Sequence, residues 1–283
     1  MLMRLGIAFL LSVGVAEAAN EPKYPQPVES DFVVKSFRFA SGQILPEIRL
    51  HYRTLGQPKR DTQGMVRNAV LILHGTGGQG GNFIRRGLPD DRFAGELFGN
   101  GQILDAERYY LVMPDNLGHG KSSKPSDGLR ARFPNYGYDD MLAAQYRLVT
   151  EGLKVNHLRL VMGTSMGGMH TWLWGQRHPD FMDALLPLAS LPTQISGRNR
   201  MWRKTVSEAI RSDPEWNNGE YQTQPRSLRL AAQILFLMSS NPVIRQKQGP
   251  TLLEADAYFE KAVGTALASM DANDALYAIE SSH

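Results

Sequence analysis

The residues most able to do chemistry are Gly163-Thr164-Ser165-Met166-Gly167, a G-x-S-x-G pattern that follows a strand-like run and precedes a helix-like one. A serine held on such a sharp strand-to-helix turn presents its hydroxyl as a nucleophile, and flanking glycines let neighbouring backbone pass close. Ser165 is therefore the expected nucleophile. The helix opening at Met166 aims its first N–H groups at developing negative charge. A second donor is expected from the loop His74-Gly75-Thr76-Gly77-Gly78, so that the backbone N–H groups of Thr76 and Met166 form an oxyanion hole. A glycine-rich loop can also hold phosphate, but no Lys-Ser or Lys-Thr follows these glycines as a P-loop requires.

The elements that must position these groups follow from hydrophobic periodicity. Residues 32–39 and 44–55 read as an antiparallel hairpin turning at Ala40-Ser41-Gly42-Gln43, after a proline-rich extended lead. Apolar runs at 69–73, 109–113, 158–162 and 184–188 suit strands buried on both faces, with helical spacing over 139–153 and 166–177. Alternating strands and helices imply a mostly parallel, doubly wound sheet. Beyond Thr193 the pattern turns helical at 200–211, 226–238, 251–269 and 272–281, broken at Asp213-Pro214, Asn241-Pro242 and Gly249-Pro250.

Composition narrows the class. A chain of 283 residues with 42% hydrophobic content can bury one large core. Its 31 basic residues against 28 acidic ones are scattered, which argues against a nucleic-acid partner. With no cysteine, disulfides and thiol nucleophiles are excluded. No metal site is expected from the dispersed histidines, and no cofactor is implied. Residues 1–18 have the form of a secretory signal peptide: Arg4, an apolar stretch from Leu5 to Val15, then Ala16-Glu17-Ala18. That stretch is shorter than the roughly 20 residues that cross a bilayer. The expectation is a periplasmic or secreted protein with no membrane span once the signal is removed.

Several stretches together resemble the α/β-hydrolase superfamily: Leu73-His74-Gly75, Pro114-Asp115-Asn116-Leu117-Gly118-His119-Gly120-Lys121-Ser122 and Gly163 to Met169. Residues 209–221, with Asp213-Pro214-Glu215-Trp216, and 270–277 are similar to the lid region of the homoserine O-acetyltransferase-like branch. The resemblance implies an α/β-hydrolase core over 19–192, a helical lid over 193–283 after the sixth strand region, and an acyl-enzyme on the serine. It also implies a catalytic acid and a histidine on strands that follow the lid, and these C-terminal strands are expected to be missing from the chain. His283 is the one histidine beyond the nucleophile helix that could return to Ser165, and no strand is predicted to position it. An exposed sheet edge and impaired catalysis are the corresponding expectations.

Two features favour an esterase acting on small acyl esters over an acetyltransferase. Gly75-Thr76-Gly77-Gly78 looks more like an esterase loop, and Ser207 stands where the branch's transferases tend to carry an arginine. Export adds a third, since acetyl-CoA is cytosolic. A homoserine O-acetyltransferase-like acyltransferase and a non-catalytic binding protein or remnant remain the alternatives. Asp271 and Asp274 are expected to be polar lid residues, near a substrate channel or solvated, and Trp172, Trp174, Trp202 and Trp216 to be packing residues.

Overall fold

A computed structural model describes residues 24–84 and 97–282. The N-terminal signal-like segment and His283 lie outside the described residues. The hairpin expected at the start is present as β1 (Val28–Arg38) and β2 (Ile44–Leu55), paired from Val28 against Thr54 to Arg38 against Ile44. Gly42, at φ 88°, makes the reversal, and Phe39 and Gln43 close the turn through an N–H···O bond of 2.9 Å.

Next come β3 (Ala69–Leu73) and β4 (Tyr110–Pro114), every residue of both buried, as expected for continuous apolar runs inside a sheet. β5 (Leu160–Thr164) and β6 (Leu185–Leu188) complete a six-stranded sheet in the order β1-β2-β4-β3-β5-β6. β4, β3, β5 and β6 run parallel, and the hairpin adds to β4 antiparallel. β5 starts and ends two residues later than the apolar run suggested, because the strand continues into the turn at Ser165.

Among the described residues two helices alternate with the parallel strands. α1 (Tyr138–Arg147) opens where Asp140 accepts from Gly137 N at 2.9 Å and Ala40 N at 2.6 Å, pinning helix and hairpin turn together. The single helix expected over 139–153 is instead split. After Arg147 the chain widens into a π-helical turn, Leu148–Gly152, ending in an N–H from Leu153 to Leu148 O at 2.9 Å. α2 (Met166–Arg177) follows β5 directly and ends at His178-Pro179.

The C-terminal third is helical: α3 (Gly197–Ser212), α4 (Leu228–Met238), α5 (Pro242–Gln248), α6 (Leu252–Leu267) and α7 (Ala272–Ser281). α5 is a helix the periodicity missed; its seven residues are too few to show a repeat, although Asn241 caps it by accepting from Val243 and Ile244 N. α3, α4 and α7 share a separate apolar cluster with Val206, Ile210, Trp216, Leu228 and Leu276 at its centre. α7 is fastened to the core: Tyr277 Oη donates toward the carbonyls of Ala131 at 3.1 Å and Phe133 at 2.8 Å. Trp174 and Trp216 are buried, Trp202 packs partly buried on the lid cluster, and Trp172 is 39% exposed. Among the described residues no helix is long and apolar enough to cross a membrane.

Candidate active site

Ser165 sits between β5 and α2 with φ 57° and ψ −115°, a conformation that costs a non-glycine residue about 1–3 kcal/mol and persists only where surroundings enforce it. The enforcement is visible. Ser165 N donates to Leu188 O of β6 at 2.9 Å, and Ser165 O accepts from Met169 N at 2.9 Å. The flanking glycines are a steric necessity: a Cβ on Gly163 would lie 2.3 Å from the Gly167 carbonyl, and one on Gly167 would lie 2.1 Å from Leu73 O. β3 and α2 thus touch through bare backbone, which brings the loop after β3 alongside the nucleophile.

That loop is close indeed. A Cβ on Gly75 would stand 3.3 Å from Ser165 Cβ and 3.9 Å from its Oγ. Thr76, the next residue, is half-buried, and Met166 is the first residue of α2. As the first residue of a helix, Met166 has an N–H with no carbonyl one turn back to receive it. The loop residue Gly75, the residue before Thr76, and Ser165, the residue before Met166, are thus in contact.

Asp115 holds the loop from the other side. Its fully buried carboxylate accepts from Arg53 Nη1 at 2.9 Å, Gly80 N at 2.8 Å and Lys121 N at 2.9 Å. Gly80 closes the glycine-rich loop, so this carboxylate ties that loop to the loop after β4 and to β2. The sequence signal was present, in Pro114-Asp115 at the end of an apolar run, but two of its three partners lie 35 and 62 residues away. His74 supports the same loop: its Nε2 accepts from Asn116 N at 3.0 Å and its Nδ1 lies 2.9 Å from Gly75 O.

No histidine among the described residues takes the proton of Ser165. His170, on α2, is fully buried and turned to Gln145, 3.0 Å from its Nδ1; Gln145 in turn bonds Trp174 Nε1. Burial pushes its pKa down to about 3, and burial also lowers those of His74 and His119, so all three are neutral structural groups at neutral pH. His178 stacks on Tyr146 at 4.1 Å. Two histidines do pair with carboxylates. His157 Nε2 lies 2.8 Å from Asp183 Oδ1, before β5 and β6 and so at the opposite end of the sheet from Ser165. His51 lies between Asp31 at 2.7 Å and Glu29 at 3.1 Å on β1 and β2, separated from β5 by two strands, or about 14 Å at ordinary strand spacing.

The two lid carboxylates are polar groups that hold their own segment in place. Asp271, partly exposed, caps α7 and accepts from Tyr221 Oη at 2.8 Å and Gln224 Nε2 at 2.9 Å. Asp274 accepts from Ser126 N at 2.8 Å and Oγ at 2.6 Å, latching α7 to the loop after β4. Ser207 is nearly buried, its Oγ donating to Arg203 O at 2.8 Å, while Arg203, one turn earlier, is the arginine that approaches Thr76. The sequence reading overlooked Arg203, because nothing local marks which arginine of Arg198, Arg200 and Arg203 turns inward.

A family model described as the alpha/beta hydrolase fold matches residues 68–231, from β3 into the lid. A probable acyltransferase of Methanothermobacter thermautotrophicus is 32% identical over 210 residues, covering 74% of this chain and 61% of that protein. The homoserine O-acetyltransferase of Moorella thermoacetica is 32% identical over 240 residues, covering 78% and 61%. The chain thus spans about three fifths of the length of these curated relatives. An acetylester hydrolase from Corynebacterium glutamicum superposes with a TM-score of 0.74 at 21% identity, over 90% of this chain and 72% of that one. The resemblance read from the lid and elbow motifs agrees with these matches.

Proposed function

Because this chain belongs to the α/β-hydrolase fold family, we propose that it is a serine acyl-transfer enzyme in which Ser165 takes an acyl group from a small ester and water removes it. The observation that carries this reading is the strained Ser165 backbone, held with its hydroxyl beside the Gly75-Thr76 loop and the first turn of α2. Strain at a strand-to-helix turn next to two oxyanion donors is the arrangement acyl transfer needs, and packing alone does not require it. The hydroxyl adds to the ester carbonyl, the carbonyl pair moves to oxygen, and the Thr76 and Met166 N–H groups receive that charge. The adduct then collapses: the acyl–oxygen bond to the alcohol breaks and the alcohol departs with the serine proton, after which water adds to the acyl-enzyme, its oxygen leaving in the acid and one of its protons restoring the Ser165 hydroxyl.

Incubation with a fluorophosphonate probe tests the assignment. Modification mapped to Ser165 supports it, and a folded protein modified nowhere, or on another serine, sinks it and favours a non-catalytic role.

Transfer to an acceptor hydroxyl is the second reading. The names of the relatives favour it, while Ser207 in place of an arginine and the Gly75-Thr76-Gly77-Gly78 loop favour water as acceptor. Supplying acetyl-CoA with homoserine beside p-nitrophenyl acetate separates the two, since only a transferase makes O-acetylhomoserine faster than it hydrolyses the ester. We further propose that residues 1–18 direct export to the periplasm or the medium. An intact mass beginning at Ala19 in the natural host supports that, and one beginning at Met1 refutes it.

A further inference from the structure

Arg203 is 2% exposed, and every acceptor it meets among the described residues is a neutral oxygen. Its Nε donates to Asn199 Oδ1 at 2.9 Å, its Nη1 to Ser282 Oγ at 2.5 Å and toward Ile279 O at 3.4 Å, and its Nη2 to Thr76 Oγ1 at 3.1 Å. Thr76 Oγ1 in turn faces Ser282 Oγ at 3.3 Å. The guanidinium lies over the Trp202 ring at 4.7 Å. Burial works most against its charge, and neighbouring Arg200 adds to that while Tyr138 opposes it.

A buried guanidinium normally sits against a carboxylate, because an unpaired charge is costly in low dielectric. Among the described residues, the C-terminal end of α7 faces it through Ile279 O and Ser282, with the partial negative charge of a helix terminus. The rest of the cation's field falls on the loop after β3, whose Gly75 is in contact with Ser165.

We propose that Arg203 is a positioning residue of the oxyanion site. Through Thr76 Oγ1 it fixes the direction of the Thr76 backbone N–H, and its charge, which meets no carboxylate among the described residues, lies on the side of the oxygen that turns negative. The proposal rests on the reading of Ser165 as nucleophile. It makes α3 and α7 part of the catalytic geometry: three elements distant in sequence meet at one guanidinium.

The test compares Arg203→Met, Arg203→Lys, Thr76→Val, Thr76→Ser and the Thr76→Val/Arg203→Met double variant. The readouts are the rate of Ser165 modification by the fluorophosphonate and kcat and KM for p-nitrophenyl acetate. Loss of one oxyanion donor costs about 10²–10³-fold, and a misdirected donor costs part of that. Arg203→Met is expected to slow Ser165 modification by at least about tenfold, with kcat falling far more than KM. Thr76→Val falls similarly, Thr76→Ser, which keeps the hydroxyl, is at least several-fold faster than Thr76→Val, and Arg203→Lys lies between wild type and Arg203→Met. The double variant is no slower than the worse single one, since both break the same link.

A folded Arg203→Met protein at the wild-type rate overturns the proposal, as do single losses that multiply in the double variant. Should Arg203→Met fail to fold, the near-isosteric Thr76→Val against Thr76→Ser decides alone. If wild-type Ser165 does not react, the nucleophile assignment fails, and amide hydrogen exchange then isolates the positioning claim. Faster exchange over residues 74–79 in Arg203→Met than in wild type, with β3 and β4 unchanged, supports the link, and equal exchange overturns it.

Discussion

β4 and β6 are both short apolar strands with a proline near their C-terminal end, and they flank the β3–β5 pair that leads to Ser165. All five residues of β4 are buried, whereas no residue of β6 is, and Leu186 is 43% exposed. The difference lies in neighbours. β4 is paired on both sides, by β2 and β3, while β6 pairs with β5 and has no second partner among the described residues. Pro187 within β6 also lacks the N–H that a second ladder would call on. An apolar run thus specifies a strand, while its burial is set by what the chain places on either side. The elbow stands between the two regimes, with Gly167 against Leu73 of β3 and Gly168 against Leu188 of β6.

The largest effect is expected at the point both sides serve. Ser165→Ala should lower ester turnover by at least about 10³-fold without loss of stability, read from p-nitrophenyl acetate kinetics beside thermal melts. Retained turnover would mean that neither wall of the elbow is there for this serine.

The two glycines sharpen the contrast. A Cβ on Gly167 would lie 2.1 Å from Leu73 O, in a strand with no room to retreat. Gly167→Ala should cost more than about 3 kcal/mol in denaturant unfolding, or prevent folding. On the β6 side, a Cβ on Gly168 would first meet Ser190 Oγ at 2.4 Å, a side chain that can rotate, with Leu188 O at 2.7 Å. Gly168→Ala should cost less, and equal losses would show the β6 side to be as rigid as the β3 side.

Strand truncations make the same comparison directly. Leu111→Ala in β4, at 0% exposure, should cost about 2–5 kcal/mol, and Leu186→Ala in β6 at most about 1 kcal/mol. A Leu186→Ala loss as large as that of Leu111→Ala would mean that β6 is covered in solution.

The smallest effect concerns the latch between α7 and the core. Burial pushes the Asp274 carboxyl up to about 6, against the two donors of Ser126 that lower it. A folded-state pKa above the unfolded value of about 4 makes its contribution to stability greatest below pH 4, and that contribution is lost as pH rises through about 6. Melting temperatures from pH 4 to 7 should therefore fall for wild type relative to Asp274→Asn. A difference that stays constant with pH would place the carboxyl in water.

The regular core and the elbow were legible because both are local. Ala69–Leu73 is apolar at every position, the Gly42 turn carries its own glycine, and Ser165 announces itself by the residues two before and two after it. Helix ends were marked the same way at Asn241 and at Thr251, whose Oγ and Glu254 carboxylate form a capping box. Where pattern ran short, so did the reading: α5 is too brief for a period, and the π-helical turn after Arg147 keeps an apolar spacing that hides the change of winding.

What the sequence by itself determined is where the backbone must extend, coil and turn, and that a serine stands at one such turn, because periodicity and glycine placement act within a few residues. Tertiary structure alone decided which charges are shared and which strands are enclosed. Asp115 gathers Arg53, Gly80 and Lys121, and Arg203 reaches Thr76 across 127 positions. Such meetings depend on the path of the whole chain and on the removal of water from between distant groups, which no local pattern encodes.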